Sequence, residues 1–310
     1  MSQLISIKSA EDILPDYRKT PISDLLEYHN LDRPFEAYQN AKLRLFTEVL
    51  PSTGVAIINS DSPSAQLFAQ AAQQRGQNVI RVGEGAADLR LMSRIPVGDG
   101  QDLVVSWQGH RYELRLPLAG AFQASNVLIA AGLVLGTGGN AEKVFAALAN
   151  LQGAAGRLEK IGVSGHAVPV YVDYAHTPDA LETVLKALRP HTQGQLWVVF
   201  GCGGDRDAGK RPLMGMAARD FADRVIVTDD NPRTEDAALI RQAVRQAVPL
   251  AMEISDRSAA IETAISSAAK GDVVVIAGKG HETGQIVGRE VRPFNDADEV
   301  RAVISKSRKA

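Results

Sequence analysis

Several things are scarce in this 310-residue sequence, and each scarcity removes a class of function. Cysteine occurs once, at Cys202, so no internal disulfide can form and a reducing compartment fits. The few His and Cys residues show no metal-ligand spacing, so a structural zinc is not expected. Charge of one sign is not in excess. The 34 basic and 36 acidic side chains leave a net charge of -2, and no basic field advertises a nucleic-acid partner. No apolar run is long enough to cross a bilayer, the best stretch being Val127 to Val134, so no membrane role is expected. The opening residues, Met1 to Lys8, lack an apolar core and a small-residue cleavage site, so they read poorly as a signal peptide. A cytoplasmic location is the expectation. Aromatics are only 5%, and the strand-like settings of Trp107 and Trp197 point to core roles. At 45% hydrophobic and 23% charged, the chain can bury a core, which excludes wholesale disorder.

What is present is an alternation of strand and helix. After a polar start, Phe35, Tyr38, Ala41, Leu45 and Phe46 recur at helical spacing. Val55–Ile58 and Val79–Val82 read as strands around a helix from Pro63 to Arg75. Residues 102–107 and 112–116 read as a hairpin, followed by helices at 123–135 and 141–151. Gly153-Ala-Ala-Gly156 is the expected domain boundary, giving domains 1–152 and 153–310. Beyond it, strands at 169–172, 196–200, 224–228 and 273–277 alternate with helices at 178–188, 210–221, 236–247 and 257–268. The strands are continuously apolar, as in a parallel sheet buried on both faces. This predicts a doubly wound α/β unit, closed by a hairpin at 285–291 and a helix from Asp296.

In an open parallel sheet, ligands bind beyond the carboxyl ends of the strands. Four unusual loops begin there: Asp173-Tyr-Ala-His-Thr-Pro-Asp179, Gly201-Cys-Gly-Gly-Asp-Arg206, Asp229-Asp-Asn-Pro-Arg233 and Gly278-Lys-Gly-His-Glu282. Their convergence on one rim predicts a site. Arg206 and Arg233 can each grip a carboxylate as a fork, while Glu282 and the Gly278 carbonyl can accept an ammonium. Together they describe a receptor for a zwitterionic amino-acid end. The plainer alternative pairs Arg206 with Asp205 or Asp207, and Arg233 with Glu235, as surface ion pairs of little value.

Other readings of these loops are weaker. Gly201-x-Gly203 resembles half a dinucleotide fingerprint, with Asp229 near the acidic position, but Arg206 stands where close packing needs a third glycine. Asp173 and His176 form a conceivable acid–base pair, yet no G-x-S-x-G elbow exists and Cys202 has no identified base. No G-x-x-x-x-G-K-[ST] occurs: Lys210 is followed by Arg211, and Lys279 by Gly280.

Taken together, the four loops resemble the carboxy-terminal domain of the Mur ligase family, in its meso-diaminopimelate-adding branch. The likeness runs over about residues 23 to 305. It implies a carboxy-terminal Rossmann-like doubly wound sheet plus an incomplete α/β central ATPase domain. It also implies peptidoglycan precursor synthesis, with ATP-dependent amide formation through an acyl phosphate. On this resemblance Arg206, Asp230, Asn231, Pro232, Arg233, Gly278 and Glu282 contact meso-diaminopimelate. The far end of that amino acid carries a carboxylate as well as an ammonium, whereas lysine has the ammonium only, so an arginine beside an acid can tell them apart.

Gly120-Ala-Phe-Gln-Ala-Ser-Asn126 resembles the family's adenine-contacting helix start, with Asn126 matching and Gln123 replacing an asparagine. The resemblance assigns Arg157 to ATP, Asp173 to the ribose, and His176 to the neighbourhood of the nucleotide as a catalytic candidate. Ala41-Lys42 resembles the family's Ala-Lys pair, whose lysine becomes a carbamate that supports Mg2+; an ordinary solvated helix lysine is the alternative. The segment Asp24 to His29 resembles the family's motif before that lysine, with Leu25 in place of a metal-side histidine. The expectation is a truncated or split ligase, weak or inactive alone. The partner UDP-MurNAc-dipeptide would then bind only if an amino-terminal ligase fragment is supplied. A non-catalytic amino-acid-binding or scaffold protein of the same descent is the alternative.

Overall fold

The computed structural model describes residues 35–307, which fall into two compact units divided between Arg81 and Val82. The Asp24–His29 segment and Leu25 lie outside the described residues.

In the first unit, helix α1 (Phe35–Arg44) runs into a π-helical turn (Leu45–Val49). Strand β1 (Val55–Asn59), helix α2 (Ala65–Gln74) and most of β2 (Asn78–Gly83) follow. Phe46, Ala56, Ile58, Ala69 and Ala72 form its core. The Gln77 amide is buried there because it donates to the carbonyls of Phe46 (2.9 Å) and Leu50 (2.8 Å).

The second unit opens with β3 (Leu89–Val97), β4 (Gly100–Trp107) and β5 (His110–Leu116), an antiparallel meander. The β4–β5 turn is Gln108-Gly109, both at positive φ (49° and 80°), the geometry a two-residue hairpin needs. Helices α3 (Ala121–Gly136) and α4 (Ala141–Leu148) follow, the second capped by the Asn140 side chain.

A six-stranded sheet then forms from β6 (Glu159–Val163), β7 (Pro169–Asp173), β8 (Leu196–Phe200), β9 (Arg224–Val227), β10 (Met252–Glu253) and β11 (Val273–Ala277). Their order is β10-β9-β8-β11-β7-β6, parallel throughout except for β6, an antiparallel edge. Helices α5 (Pro178–Leu188), α6 (Lys210–Phe221) and α7 (Ala237–Arg245) cover one face. Helices α8 (Arg257–Ser267) and α9 (Asp296–Ser307) cover the other. The strand alternation sorts the core: Val198 and Val275 join the first layer, while Val199, Val274 and Ile276 join the second. A hairpin, β12 (Gly284–Val287) and β13 (Glu290–Pro293), lies between β11 and α9 in the chain. The doubly wound architecture read from the apolar runs is present. Strands β3, β6 and β10 are additions to that reading. Trp107 and Trp197 are buried at 9% and 6% exposure, as their strand settings predict.

Candidate functional site

Because β7, β8, β9 and β11 run parallel, the loops that follow them leave the same edge of the sheet. They build two adjoining clusters of polar side chains.

The first is a cleft of about 690 Å³ lined by Phe122, Gln123, Asn126, Arg157, Asp173 and Thr183, among others. Asn126, Arg157 and Asp173 therefore share one wall system. The Asp173 carboxylate accepts backbone N–H bonds from Leu158 (2.6 Å) and Ala175 (2.7 Å). Burial nonetheless pushes its carboxyl above the ordinary value, more than those amides and nearby Arg157 pull it down. Leu158 meets Asp173 from a left-handed backbone, φ 48°, a strained conformation of the kind that collects at working sites. Gln123, standing where the family resemblance expects asparagine, donates to the Arg157 carbonyl (3.2 Å) and ties the helix start to this loop.

Tyr174 gathers the lip of this cleft. The Arg157 guanidinium lies 4.9 Å from its ring centroid, His176 packs edge-on at 4.6 Å, and His281 lies at 5.5 Å. His176 Nδ1 donates to the Tyr174 carbonyl (2.8 Å), and Lys210 Nζ donates to the His176 carbonyl (2.9 Å). Among the described residues no hydrogen bond joins Asp173 to His176: the carboxylate oxygens and Nδ1 go to backbone partners, and His176 acts on Asp173 only through its charge. Cys202 is buried and its thiol is pushed up to about 12, so it is a protonated packing group and no nucleophile.

The second cluster surrounds Asp230-Asn-Pro-Arg233. Arg233 adopts φ 51° and is clamped by the hairpin: its N–H donates to Ile286 O (3.1 Å), and its carbonyl accepts from Gly288 N (2.6 Å). Its Nη1 donates to carbonyls of Gly204 (2.8 Å) and Asn231 (3.4 Å). Glu235, the alternative partner, instead accepts from Arg211 (2.8 Å) and from Asp205 N (2.6 Å). Arg206 is exposed and donates to the Asp205 carbonyl (3.1 Å). Among the described residues neither Arg206 nor Arg233 is engaged in an ion pair, so the plain surface pairings are not formed. Gly204 has no room for a side chain, since a Cβ there would lie 1.9 Å from the Pro232 carbonyl.

Beneath this rim lies a buried charge network. Lys279, fully buried, donates to Asn231 Oδ1 and Glu282 Oε2, both at 3.0 Å. Asn231 Nδ2 donates to the same Glu282 oxygen (3.0 Å). Burial pushes the Glu282 carboxyl up, but Asn231, Lys279 and Arg233 together hold it below the ordinary value. Asp230 is buried against Gly278, and burial raises its carboxyl despite Arg257 and Lys279. Its carbonyl accepts from Gln285 Nε2 (2.8 Å). Arg257 and Asp296, both wholly inside, form a two-bond pair at 2.7 and 2.8 Å.

The structure thus brings together Asp230, Asn231, Pro232, Arg233, Gly278 and Glu282, with Arg206 on the rim of the same loops. Asn126, Arg157 and Asp173 line the neighbouring cleft, with His176 at its lip. Lys42 belongs to the first unit, where its Nζ stands 4.4 Å from the Tyr38 ring centroid. Sequence reasoning missed Lys279, Arg257, Asp296, Tyr174 and Lys210. In the sequence Lys210 and Lys279 stand out only as lysines after a glycine that do not complete a phosphate loop.

Comparison with known proteins gives consistent matches. The Mur ligase middle domain matches residues 24–134, and the Mur ligase glutamate ligase domain matches residues 156–280. A UDP-N-acetylmuramoyl-L-alanyl-D-glutamate--2,6-diaminopimelate ligase of Caulobacter vibrioides is 56% identical over 276 residues, which are 89% of this chain and 56% of that protein. The protein of the same name from Zymomonas mobilis is 53% identical over 277 residues, 88% of this chain and 56% of that one. A solved structure bearing that name superposes with a TM-score of 0.66 at 38% identity, covering 90% of this chain and 58% of the other. The chain therefore spans a little over half the length of the relatives it matches.

Proposed function

The chain belongs to the Mur ligase family, and from that premise we propose that it carries the amino-acid receptor and part of the nucleotide site of a meso-diaminopimelate-adding ligase. The observation that supports this most is the Arg233 guanidinium held on carbonyls, without a carboxylate, beside Glu282. A ligand carboxylate would take the arginine fork, and a ligand ammonium would take Glu282. The reaction would form an amide between that amino acid and the glutamate of UDP-MurNAc-L-Ala-D-Glu, with ATP as the source of activation. The domain boundaries 1–152 and 153–310 and a cytoplasmic location belong to the same proposal. Among the described residues no helix is long and apolar enough to cross a membrane.

In this proposal the Phe122–Arg157 cleft takes the nucleotide. Asn126 would meet the base and Asp173 the ribose, while Arg157 in the cleft and Lys210 beside His176 would face the phosphates. Positive side chains fixed in advance where phosphoryl charge develops lower the barrier without reorganising. The rim then places the incoming amine beside the activated carboxyl, which is catalysis by positioning. Among the described residues no group of three or more His, Cys, Asp or Glu side chains fits a metal, so no step is assigned to magnesium. A carbamate on Lys42 stays part of the proposal for the first unit only.

The second reading is a non-catalytic amino-acid-binding or scaffold protein of the same descent. Complementation separates the two readings. A supplied amino-terminal ligase fragment restores ATP-dependent ligation if the chain is half of an enzyme, and does nothing if it is a scaffold. Calorimetry tests the receptor they share. Arg233→Ala should weaken meso-diaminopimelate binding by about 10- to 100-fold, the value of a hydrogen-bonded charge, and leave L-lysine binding unchanged. Equal affinities of wild type and variant for meso-diaminopimelate would end the receptor reading.

A further inference from the structure

A lysine ammonium with no exposed surface is costly unless its protons find acceptors. Lys279 sits at 0% exposure in the loop after β11. Its ammonium donates to Asn231 Oδ1 and to Glu282 Oε2, both at 3.0 Å. Asn231 Oδ1 also accepts the Ile286 N–H at 2.9 Å. Two donors on that oxygen leave the carboxamide a single orientation, with Nδ2 turned toward Glu282 Oε2 at 3.0 Å. Glu282 Oε2 therefore receives two donors. Among the described residues nothing donates to Oε1, and the Glu282 side chain is 33% exposed.

The charges around this oxygen complete the picture. Asp230, Glu282 and Asp296 carry three acids, and Arg257 and Lys279 two cations, so the fully ionised inner group has one negative charge in excess. Arg233, held on the Gly204 and Asn231 carbonyls, adds a positive charge close enough to lower the Glu282 carboxyl. An ammonium at Glu282 balances the inner group, and a carboxylate at Arg233 balances the rim.

We propose that Lys279 is a positioning residue: by fixing the Asn231 amide and occupying one oxygen of Glu282, it leaves the other oxygen as an outward acceptor that selects a ligand ammonium beside a carboxylate. This rests on the receptor reading of the preceding subsection. Without Lys279 the Asn231 oxygen keeps only the Ile286 N–H, so the amide is held less firmly, and Glu282 holds its proton more readily in the company of Asp230 and Asp296.

The test uses the full chain and carboxyl-carbon NMR of Glu282 without ligand. Lys279→Met should raise the Glu282 titration midpoint by about one pH unit or more, a tenfold change in proton affinity, and Lys279→Arg should restore most of it. A merely structural lysine would lower the melting temperature without moving that midpoint, and an unmoved midpoint in folded Lys279→Met overturns the proposal. If that variant does not fold, the wild-type Lys279 ammonium resonance decides: it should be protected from solvent exchange and should shift in Glu282→Gln, and an unprotected, unshifted signal overturns the proposal. Calorimetry with meso-diaminopimelate should show about a tenfold loss or more in Lys279→Met, for one lost charged hydrogen bond. Failure of the wild type to bind meso-diaminopimelate would sink the receptor reading alone, because the Glu282 titration judges Lys279 without any ligand.

Discussion

Replacing Asp296 by asparagine removes one charge from a pair that lies wholly inside the second unit. Arg257 Nε and Nη2 reach the two Asp296 oxygens at 2.7 and 2.8 Å, and neither side chain is exposed. The remaining Arg257 donors go to the carbonyls of Ala277 (2.9 Å) and Asp229 (3.4 Å), the last residue of β11 and the loop after β9. The guanidinium thus ties α8, α9 and two site loops together. Asparagine keeps the shape and one acceptor, but turns an amide donor toward a guanidinium and leaves a buried cation short of its counter-charge. Removing one partner of such a pair costs about 3–5 kcal/mol. For a unit of this size each kcal/mol lowers the melting temperature by about 2–4 °C, so a fall of roughly 6–20 °C is expected. Urea unfolding followed by circular dichroism measures the loss directly. The double variant Arg257→Met, Asp296→Leu should recover most of it, because an apolar pair needs no compensation. A loss below about 1 kcal/mol for Asp296→Asn would mean that Asp230 suffices as the counter-charge, and a double variant no better than the single would also refute the reasoning.

Other outcomes follow from the same geometry. The carboxyl of buried Asp230 is raised, so the folded state holds its proton more tightly than the unfolded chain, and the resulting stability is full at acid pH and is lost as pH rises through the raised value. Asp230→Asn should flatten that part of the pH–stability curve, and an unchanged slope in urea titrations at several pH values would count against it. The Cys202 thiol, pushed up to about 12, should react with iodoacetamide in the native protein far more slowly than after unfolding; equal rates would place the thiol outside the core. Gly204→Ala puts a methyl group 1.9 Å from the Pro232 carbonyl, which must move the Asp230–Arg233 turn. Stability should fall by about 1–3 kcal/mol, and meso-diaminopimelate affinity should fall with it. An alanine variant with native stability and affinity would show that the two loops are not in register through this contact.

Much of the second unit was legible because its strands are buried on both faces. Leu196–Phe200 and Val273–Ala277 are apolar at nearly every position, and each is buried along its whole length. Strand β3 escaped notice because Arg90, Ser93, Arg94 and Pro96 interrupt it, and its burial only partly alternates. Edge strand β6 carries Lys160 and Gly162, and β10 is two residues long, too short to leave a pattern. The site loops could be found because a parallel sheet sends its loops to one edge. Their inner wiring could not: Lys279 meets Asn231 across 48 residues, and Arg257 meets Asp296 across 39. Nothing in local periodicity encodes such pairings, and a buried lysine looks in sequence like a solvated one.

Gly156 carries a consequence of another kind. A Cβ at this position would stand 2.3 Å from His281 N and 2.5 Å from the Gly280 carbonyl carbon. The segment bearing Arg157 and the loop bearing Lys279 and Glu282 are therefore two sides of one partition, a single backbone thick. Neither backbone has room to move toward the other, so the position of Gly156, and of Arg157 next to it, is set by Gly280 and His281. Bulk added at Gly156 would therefore displace both segments at once, through direct backbone contact.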